Sequence, residues 1–233
     1  AAEPGKGLWR LQGDQAKLLT DRDGLASAQI TALAVDGQDA LWVATAKGLS
    51  RWDGDTWQTW TMQNGLPANE LTALAAGSNA AGQSVIWVST AQGAIARFDG
   101  DAWTVFSTTE GLPETRPSSI AADGEGVWLS YAQTRLGGER QLAHYDGATW
   151  EFFTAAQGLP DADIATLLDD QGWLWAGTDG LGLARYADGV WTTWSGADGL
   201  ASNRVTALAP ADQGVLWIGT RAGLTRLDTT LLD

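Results

Sequence analysis

Apolar residues along this chain come in short runs of about five, and the runs recur as a set. Residues 199–228, GLASNRVTALAPADQGVLWIGTRAGLTRLD, show the unit. A Gly-Leu turn leads into an apolar run at 205–209, a polar turn around Asp212 and Gly214, and a second run at 215–219 that carries a tryptophan. A short loop and a third run ending in Arg226-Leu227-Asp228 complete it. Each run is too short for a helix and is bounded by Gly, Asp or Asn, so the pattern predicts three strands separated by turns. Gly-Leu pairs begin at Gly24, Gly65, Gly111, Gly158 and Gly199, giving steps of 41, 46, 47 and 41 residues. The second-run tryptophan recurs with them at Trp42, Trp87, Trp128, Trp175 and Trp217. Most copies add a fourth run after an Asp-Gly turn, as in RWDGDTWQTW (51–60), RFDGDAWTVF (97–106) and HYDGATWEFF (144–153), with a slipped version in RYADGVWTTW (185–194).

Four strands every 41 to 47 residues is the period and strand count of a β-propeller blade. A helical solenoid of similar period would show a 3.6-residue apolar pattern, which is absent. The expected fold is all-β, a five-bladed β-propeller of four-stranded antiparallel blades forming one domain over 1–233. Its repeats are 24–64, 65–110, 111–157, 158–198 and 199–233, the last completed by 5–23. Sliding 5–23 forward by 41 positions lays Lys6 on Lys47, Gly7 on Gly48, Arg10 on Arg51 and Gly13 on Gly54, so the N-terminus reads as a third and a fourth strand. Pairing N- and C-terminal strands in one blade would remove both free sheet edges. One third strand is then surplus, 8–12 or 224–228, and the expected closure takes three strands from the C-terminus with 16–20.

Most of the 14 tryptophans follow the same register. Besides the second-run set, Trp57, Trp103, Trp150 and Trp191 share one repeat position, and Trp60, Phe106, Phe153 and Trp194 lie three residues later. Recurrence in every blade predicts core packing, with Trp9 and Trp173 outside the register as the more exposed rings. Asp36, Asp39, Asp123, Glu125, Asp169, Asp170 and Asp212 are expected in turns between first and second strands, and Asp53, Asp99 and Asp146 in hairpin turns, where Asp accepts backbone hydrogen bonds. None has the spacing of a calcium loop.

Charge and composition narrow the chemistry. Fourteen basic against 28 acidic side chains, a net charge of −14, oppose nucleic-acid binding. No cysteine is present, which excludes disulfides, thiolate zinc sites and thiol catalysis. No apolar run reaches the ~18 residues of a membrane helix, so no membrane segment is expected in this chain. His144 is the only histidine and occupies a position held elsewhere by Arg51, Arg97 and Arg185, so no nucleophilic set and no metal centre can be assembled around it. The expected innermost strands, 30–35, 71–75, 118–122, 164–168 and 205–209, carry no Asp or Glu. A carbohydrate-active enzyme would need two converging acids, with Glu70 and either Asp163 or Asp179 as the candidates. No enzyme activity and no cofactor are expected.

The repeats also resemble a known family. The consensus GLP-x-x-x-[IV]-x-x-[LI], then D-x-x-G-x-[LV]-W-[IVA]-x-T, then G-L-x-R-[WFY]-D-G, is similar to the two-component-regulator propeller repeat of sensor regions in bacterial hybrid two-component systems, over nearly the whole chain. The resemblance implies a ligand-sensing input domain of a signalling system, in the periplasm or outside the cell. In that family the signal passes to a membrane-linked kinase. Ala1-Ala2-Glu3-Pro4 would suit a mature end left by signal-peptide cleavage.

A site is expected where the blades vary, on the face formed by fourth-to-first connections and second-to-third loops. Glu70, Arg116, Asp163 and Arg204 lie near the first-strand entrance, and Lys47, Asp179 and Arg221 in the partner loops. The third blade carries an insertion, 131–141, with Tyr131, Arg135, Glu139 and Arg140. These residues form the candidate pocket for a small polar or anionic molecule or a saccharide bound by a monomer. A flat face would instead suit a protein partner.

Overall fold

A computed structural model describes residues 2–3, 5–132, 140–170 and 172–232. The chain divides into two compact units, Ala1–Arg116 and Pro117–Asp233. The regular structure of both is antiparallel strand with single turns of 3-10 helix. In the first unit, sheet I consists of Ala2–Glu3, Gly7–Gln12 and Gln15–Leu19. Sheet II consists of Ile30–Val35, Leu41–Thr45, Gly48–Trp52 and Trp57–Trp60, and sheet III of Leu71–Ser78, Ser84–Thr90, Ile95–Phe98 and Trp103–Phe106. In the second unit, sheet IV consists of Ser119–Asp123, Gly126–Tyr131, Gln141–Tyr145 and Trp150–Phe153. Sheet V consists of Ile164–Asp170, Trp173–Thr178, Leu183–Ala187 and Val190–Trp194, and sheet VI of Val205–Ala211, Val215–Thr220 and Gly223–Asp228. In every sheet the strands neighbour one another in chain order.

Six sheets replace the five closed blades expected from the repeats. Gln15–Leu19 pairs with Gly7–Gln12, and Gly223–Asp228 pairs with Val215–Thr220, so both third strands are kept and neither end is completed by the other among the described residues. The physical reason is local. Gly7–Gln12 is joined to Gln15–Leu19 by a two-residue turn and takes Ala2–Glu3 on its other side. Short loops make these pairings cheap in chain entropy, so neither strand is given up for a distant partner.

The Gly-Leu pair recurs because it ends a corner. Each fourth strand, and Gln15–Leu19 in sheet I, runs into one turn of 3-10 helix capped by Thr20, Thr61, Ser107, Thr154 or Ser195. Three residues on, Asp23, Asn64, Glu110, Gln157 or Asp198 accepts a hydrogen bond from the N–H of the cap residue, forming a capping box. The turn then stops on glycine at φ between 82° and 116°, a region costly for any side chain. The next residue, Leu25, Leu66, Leu112, Leu159 or Leu200, is buried. Gly65 has a second constraint, because a Cβ there would lie 2.7 Å from the Trp103 ring.

The tryptophans hold each unit together. The recurring second-strand Trp sits directly across from a cationic or imidazole side chain on the third strand: Trp42 from Arg51, Trp87 from Arg97, Trp128 from His144, Trp175 from Arg185, Trp217 from Arg226. Trp42 also stacks on Trp60 of its own sheet at 5.1 Å and meets Phe98 of sheet III at 6.1 Å. Trp128 repeats this with Phe153 at 5.6 Å and Tyr186 of sheet V at 6.0 Å. Trp42, Trp87, Trp128 and Trp175 are buried, as expected, but Trp217 is 37% exposed. Among the described residues sheet VI has three strands, so no fourth-strand ring stacks on Trp217 there. Trp9 and Trp173 are half-buried: Trp9 Nε1 donates to Glu3 at 2.9 Å, and Trp173 lies under the Arg185 guanidinium at 4.4 Å.

Replacing Gly65 by Ala should cost about 2 kcal/mol, from left-handed strain and displacement of Trp103. Ala at Gly37, which has open space and no positive φ, should leave the urea midpoint unchanged.

Candidate binding surface on the loop side

The same backbone bond places the candidate residues in four sheets. The residue just after the second strand donates its N–H to the carbonyl of the residue before the first: Ala46 to Gln29, Ala91 to Glu70, Asp179 to Asp163, and Arg221 to Arg204, at 2.9 to 3.1 Å. Each pair therefore marks the same end of its sheet. In the first unit this puts Glu70 at that end of sheet III, with Lys47 in the corresponding loop of sheet II; both are exposed, as is Arg116 at the limit of the unit.

In the second unit the expected residues come together. Arg140 donates from Nε to Asp163 Oδ1 at 2.8 Å and from Nη1 to Asp161 Oδ1 at 2.5 Å. Asp179 and Arg204 form an isolated β-bridge, and Arg204 Nε lies 3.0 Å from Asp179 Oδ1. Backbone bonds join these pairs, so Arg140, Asp163, Asp179, Arg204 and Arg221 make one row across sheets IV, V and VI. The carboxylates are partly exposed, so each ion pair adds little stability and its main effect is to fix side-chain position. Asp163 and Asp179, the acids a hydrolase would draw on, each face an arginine. Tyr131 does not join the row: it is buried, and burial pushes its phenol well above the usual value. Arg135 and Glu139 lie outside the described residues.

Sequence reasoning missed a second cluster. Asp123, Asp169 and Asp170, expected in turns, lie within the first strands of sheets IV and V. His144 Nε2 is 2.9 Å from Asp123 Oδ2, and its ring stacks on Trp128 at 3.8 Å. The hydrogen bond to His144 holds the Asp123 carboxyl below its ordinary value. Asp169 goes the other way: burial, then the charges of Asp123 and Asp170, push it up to about 6. A signal was available, because Asp36 occupies the matching place before Trp42 and accepts its indole N–H at 2.8 Å. Asp36 also accepts the N–H groups of Gln38 and Ala40, as an aspartate in a turn should. Asp53, Asp99 and Asp146 each accept two backbone N–H groups in their hairpins, as expected. Among the described residues, no three His, Asp or Glu side chains are grouped to hold a metal ion.

Six antiparallel meanders with a blade-length repeat define a protein of the β-propeller class. Residues 199–222 match the family model described as two component regulator propeller. No curated protein matches by sequence. Solved structures share the fold at low identity. The chain is similar to the extracellular domain of the putative hybrid two component system BT3049 from B. thetaiotaomicron, with 16% identity, TM-score 0.74, and coverage of 99% of this chain and 32% of that one. It is also similar to PorZ, a bacterial surface component of the type-IX secretion system of Porphyromonas gingivalis, with 16% identity, TM-score 0.68, and coverage of 96% and 36%. YCF48 bound to D1 peptide matches at 16% identity, TM-score 0.62, and coverage of 93% and 69%. The chain thus spans about a third of the length of the first two. No helix of the described residues is long and apolar enough to cross a membrane, which says nothing of a β-barrel.

The Asp169 shift sets a pH dependence. The folded chain keeps this proton up to about pH 6, whereas an unfolded chain releases it near the ordinary value of 3.8. Its contribution to stability is therefore full below pH 3.8 and is lost as pH rises through about 6. Asp169→Asn should raise the melting temperature at pH 7.5 and give no gain at pH 3.5. Equal gains at both would show that the carboxyl is not raised.

Proposed function

We propose that this chain is a non-enzymatic sensing module, the input domain of a bacterial signalling system in the periplasm or outside the cell. It binds a small polar or anionic molecule or a saccharide at the loop side of its second unit. The observation that carries this reading is the row of Arg140, Asp163, Asp179, Arg204 and Arg221. Its side chains are of mixed charge, two ion pairs orient them, and Arg221 and Arg204 stay exposed in a chain of net charge −14. An exposed cation beside fixed carboxylates suits a carboxylate, phosphate or polyhydroxyl ligand. Lys47, Glu70 and Arg116 present similar chemistry in the first unit. The likeness to an extracellular domain of a putative hybrid two component system supports the sensing role and the location.

A thermal-shift screen of the purified chain against sugars and organic acids tests the proposal. A ligand at 100 times its dissociation constant stabilises the native state by about 2.7 kcal/mol. The expected hit is lost in the Arg204→Ala, Arg221→Ala double variant, whose own melting temperature stays within a degree or two of the parent. A screen without hits would overturn the reading. Protein recognition is the second reading, favoured by the exposed Trp217 and Leu224 of sheet VI.

A further inference from the structure

We propose that the cleft between sheets II and III of the first unit is a binding site for one ring of a neutral saccharide. It lies at the end of these sheets away from Lys47 and Glu70, and it is independent of the loop-side row in the second unit.

The cleft encloses about 270 Å³, close to the ~300 Å³ at which small-ligand sites begin, so it suits a ligand of single-ring size. Its floor is the aromatic triangle of Trp42, Trp60 and Phe98. Asp36 sits beside that floor with both oxygens engaged. Oδ1 accepts the N–H groups of Gln38 and Ala40, and Oδ2 accepts the indole N–H of Trp42.

Two charged groups of the walls keep bonding capacity, and the repeats show why. Arg51 Nη1 is 4.0 Å from Asp53 Oδ2, outside hydrogen-bond range, and its guanidinium lies over Trp42 at 5.7 Å. His144, at the same position in sheet IV, is instead bonded to Asp123 at 2.9 Å. Asp99 accepts the N–H groups of Asp101 and Ala102 through Oδ1. In the equivalent hairpins the second carboxylate oxygen also accepts a hydroxyl, from Thr56 onto Asp53 and from Thr149 onto Asp146. Ala102 stands in that place and has no hydroxyl to give, so Asp99 Oδ2 lacks this bond.

Amides complete the rim. Gln58 stands across from Arg51, where sheets III, IV and V carry Thr104, Glu151 and Thr192. Gln38 and Gln83 line the cleft from the turns between first and second strands. Asn79 Nδ2 donates to Gln83 Oε1 at 2.9 Å, which leaves the amide N–H groups of Gln83 for a ligand. An amide offers both donor and acceptor, and so does every sugar hydroxyl. One guanidinium and one carboxylate balance in charge, which favours a neutral ligand, and the net charge of −14 further opposes an anion. A zwitterion such as an amino acid would bridge Arg51 and Asp99 but leave the three glutamine amides to water.

The probes are the methyl α-glycosides of glucose, galactose and mannose and the methyl β-glycoside of xylose, titrated into the full chain by calorimetry. Methyl β-glucuronide and glycine are the charged controls. Saturable binding of at least one neutral glycoside is expected. Arg51→Met keeps the packing over Trp42 and removes the donors, and Asp99→Asn keeps the turn bonds to Oδ1; each should weaken binding roughly tenfold. Gln58→Ala, an exposed change that leaves the aromatic floor intact, should weaken it in the same direction, and near-UV circular dichroism checks that every variant folds. The Arg204→Ala, Arg221→Ala double variant should bind as the parent does. No saturable binding of any neutral glycoside, tighter binding of the glucuronide or glycine, or indifference to all three cleft variants would overturn the proposal. So would loss of binding in the double variant, which would assign the sugar to the loop side.

Discussion

Within each unit the structure depends on one packing arrangement, a second-strand tryptophan wedged between an aromatic ring of its own sheet and one of the sheet that follows. Trp42, Trp60 and Phe98 form such a triangle, with Trp60 and Phe98 5.3 Å apart; Trp128, Phe153 and Tyr186 form another, with the last two 5.4 Å apart. A lone antiparallel meander has two faces to cover and cannot bury both by itself. The triangles supply the missing cover, and each large ring removed from water is worth several kcal/mol as an upper bound. Small neighbours make room for the indole: Ala34, Ala75 and Ala121 stand across from Trp42, Trp87 and Trp128 on the first strands.

The same arrangement distributes the polar chemistry. A tryptophan in the middle of a sheet demands a side chain on the next strand that can lie over its face and still keep a polar end, which arginine and histidine do. Arg51 and Arg185 take that place over Trp42 and Trp175, and His144 takes it over Trp128. Where histidine stands in for arginine, its nitrogen reaches Asp123, while Asp169 on the adjoining sheet is raised by its own burial and by the charges of Asp123 and Asp170. Stacking thus fixes where the cations go.

Loop-side chemistry follows from the corners. A capping box, a left-handed glycine and a buried leucine return the chain to each new first strand at a fixed point, and one backbone bond then ties that point to the end of the second strand. Variable side chains at these two positions are held as precisely as the sheets beneath them. In the second unit the result is a row of mixed charge, Arg140 to Arg221. In sheet VI, which has three strands among the described residues, Trp217 and Leu224 are exposed.

Much of this was legible in the sequence because a repeat states the same physics several times. The strand period, the hairpin aspartates, the buried Trp42, Trp87, Trp128 and Trp175, and the equivalence of Asp163 with Arg204 all follow from positions that recur at fixed offsets. Features that occur once, or that depend on which strands meet, were not legible. Two third strands compete for one closing blade in the sequence, yet each keeps its own hairpin, because pairing across a short turn costs less entropy than pairing across the chain. Trp217 has the same local sequence as its four counterparts and differs only in what lies beside it. Asp123 and Asp169 are 46 positions apart and look like turn residues; their mutual charge appears only when two sheets pack. The sequence by itself determined the local meanders and their corners, since these rest on φ, capping and alternation; the tertiary structure decided which faces and edges were covered, because burial is a property of neighbours.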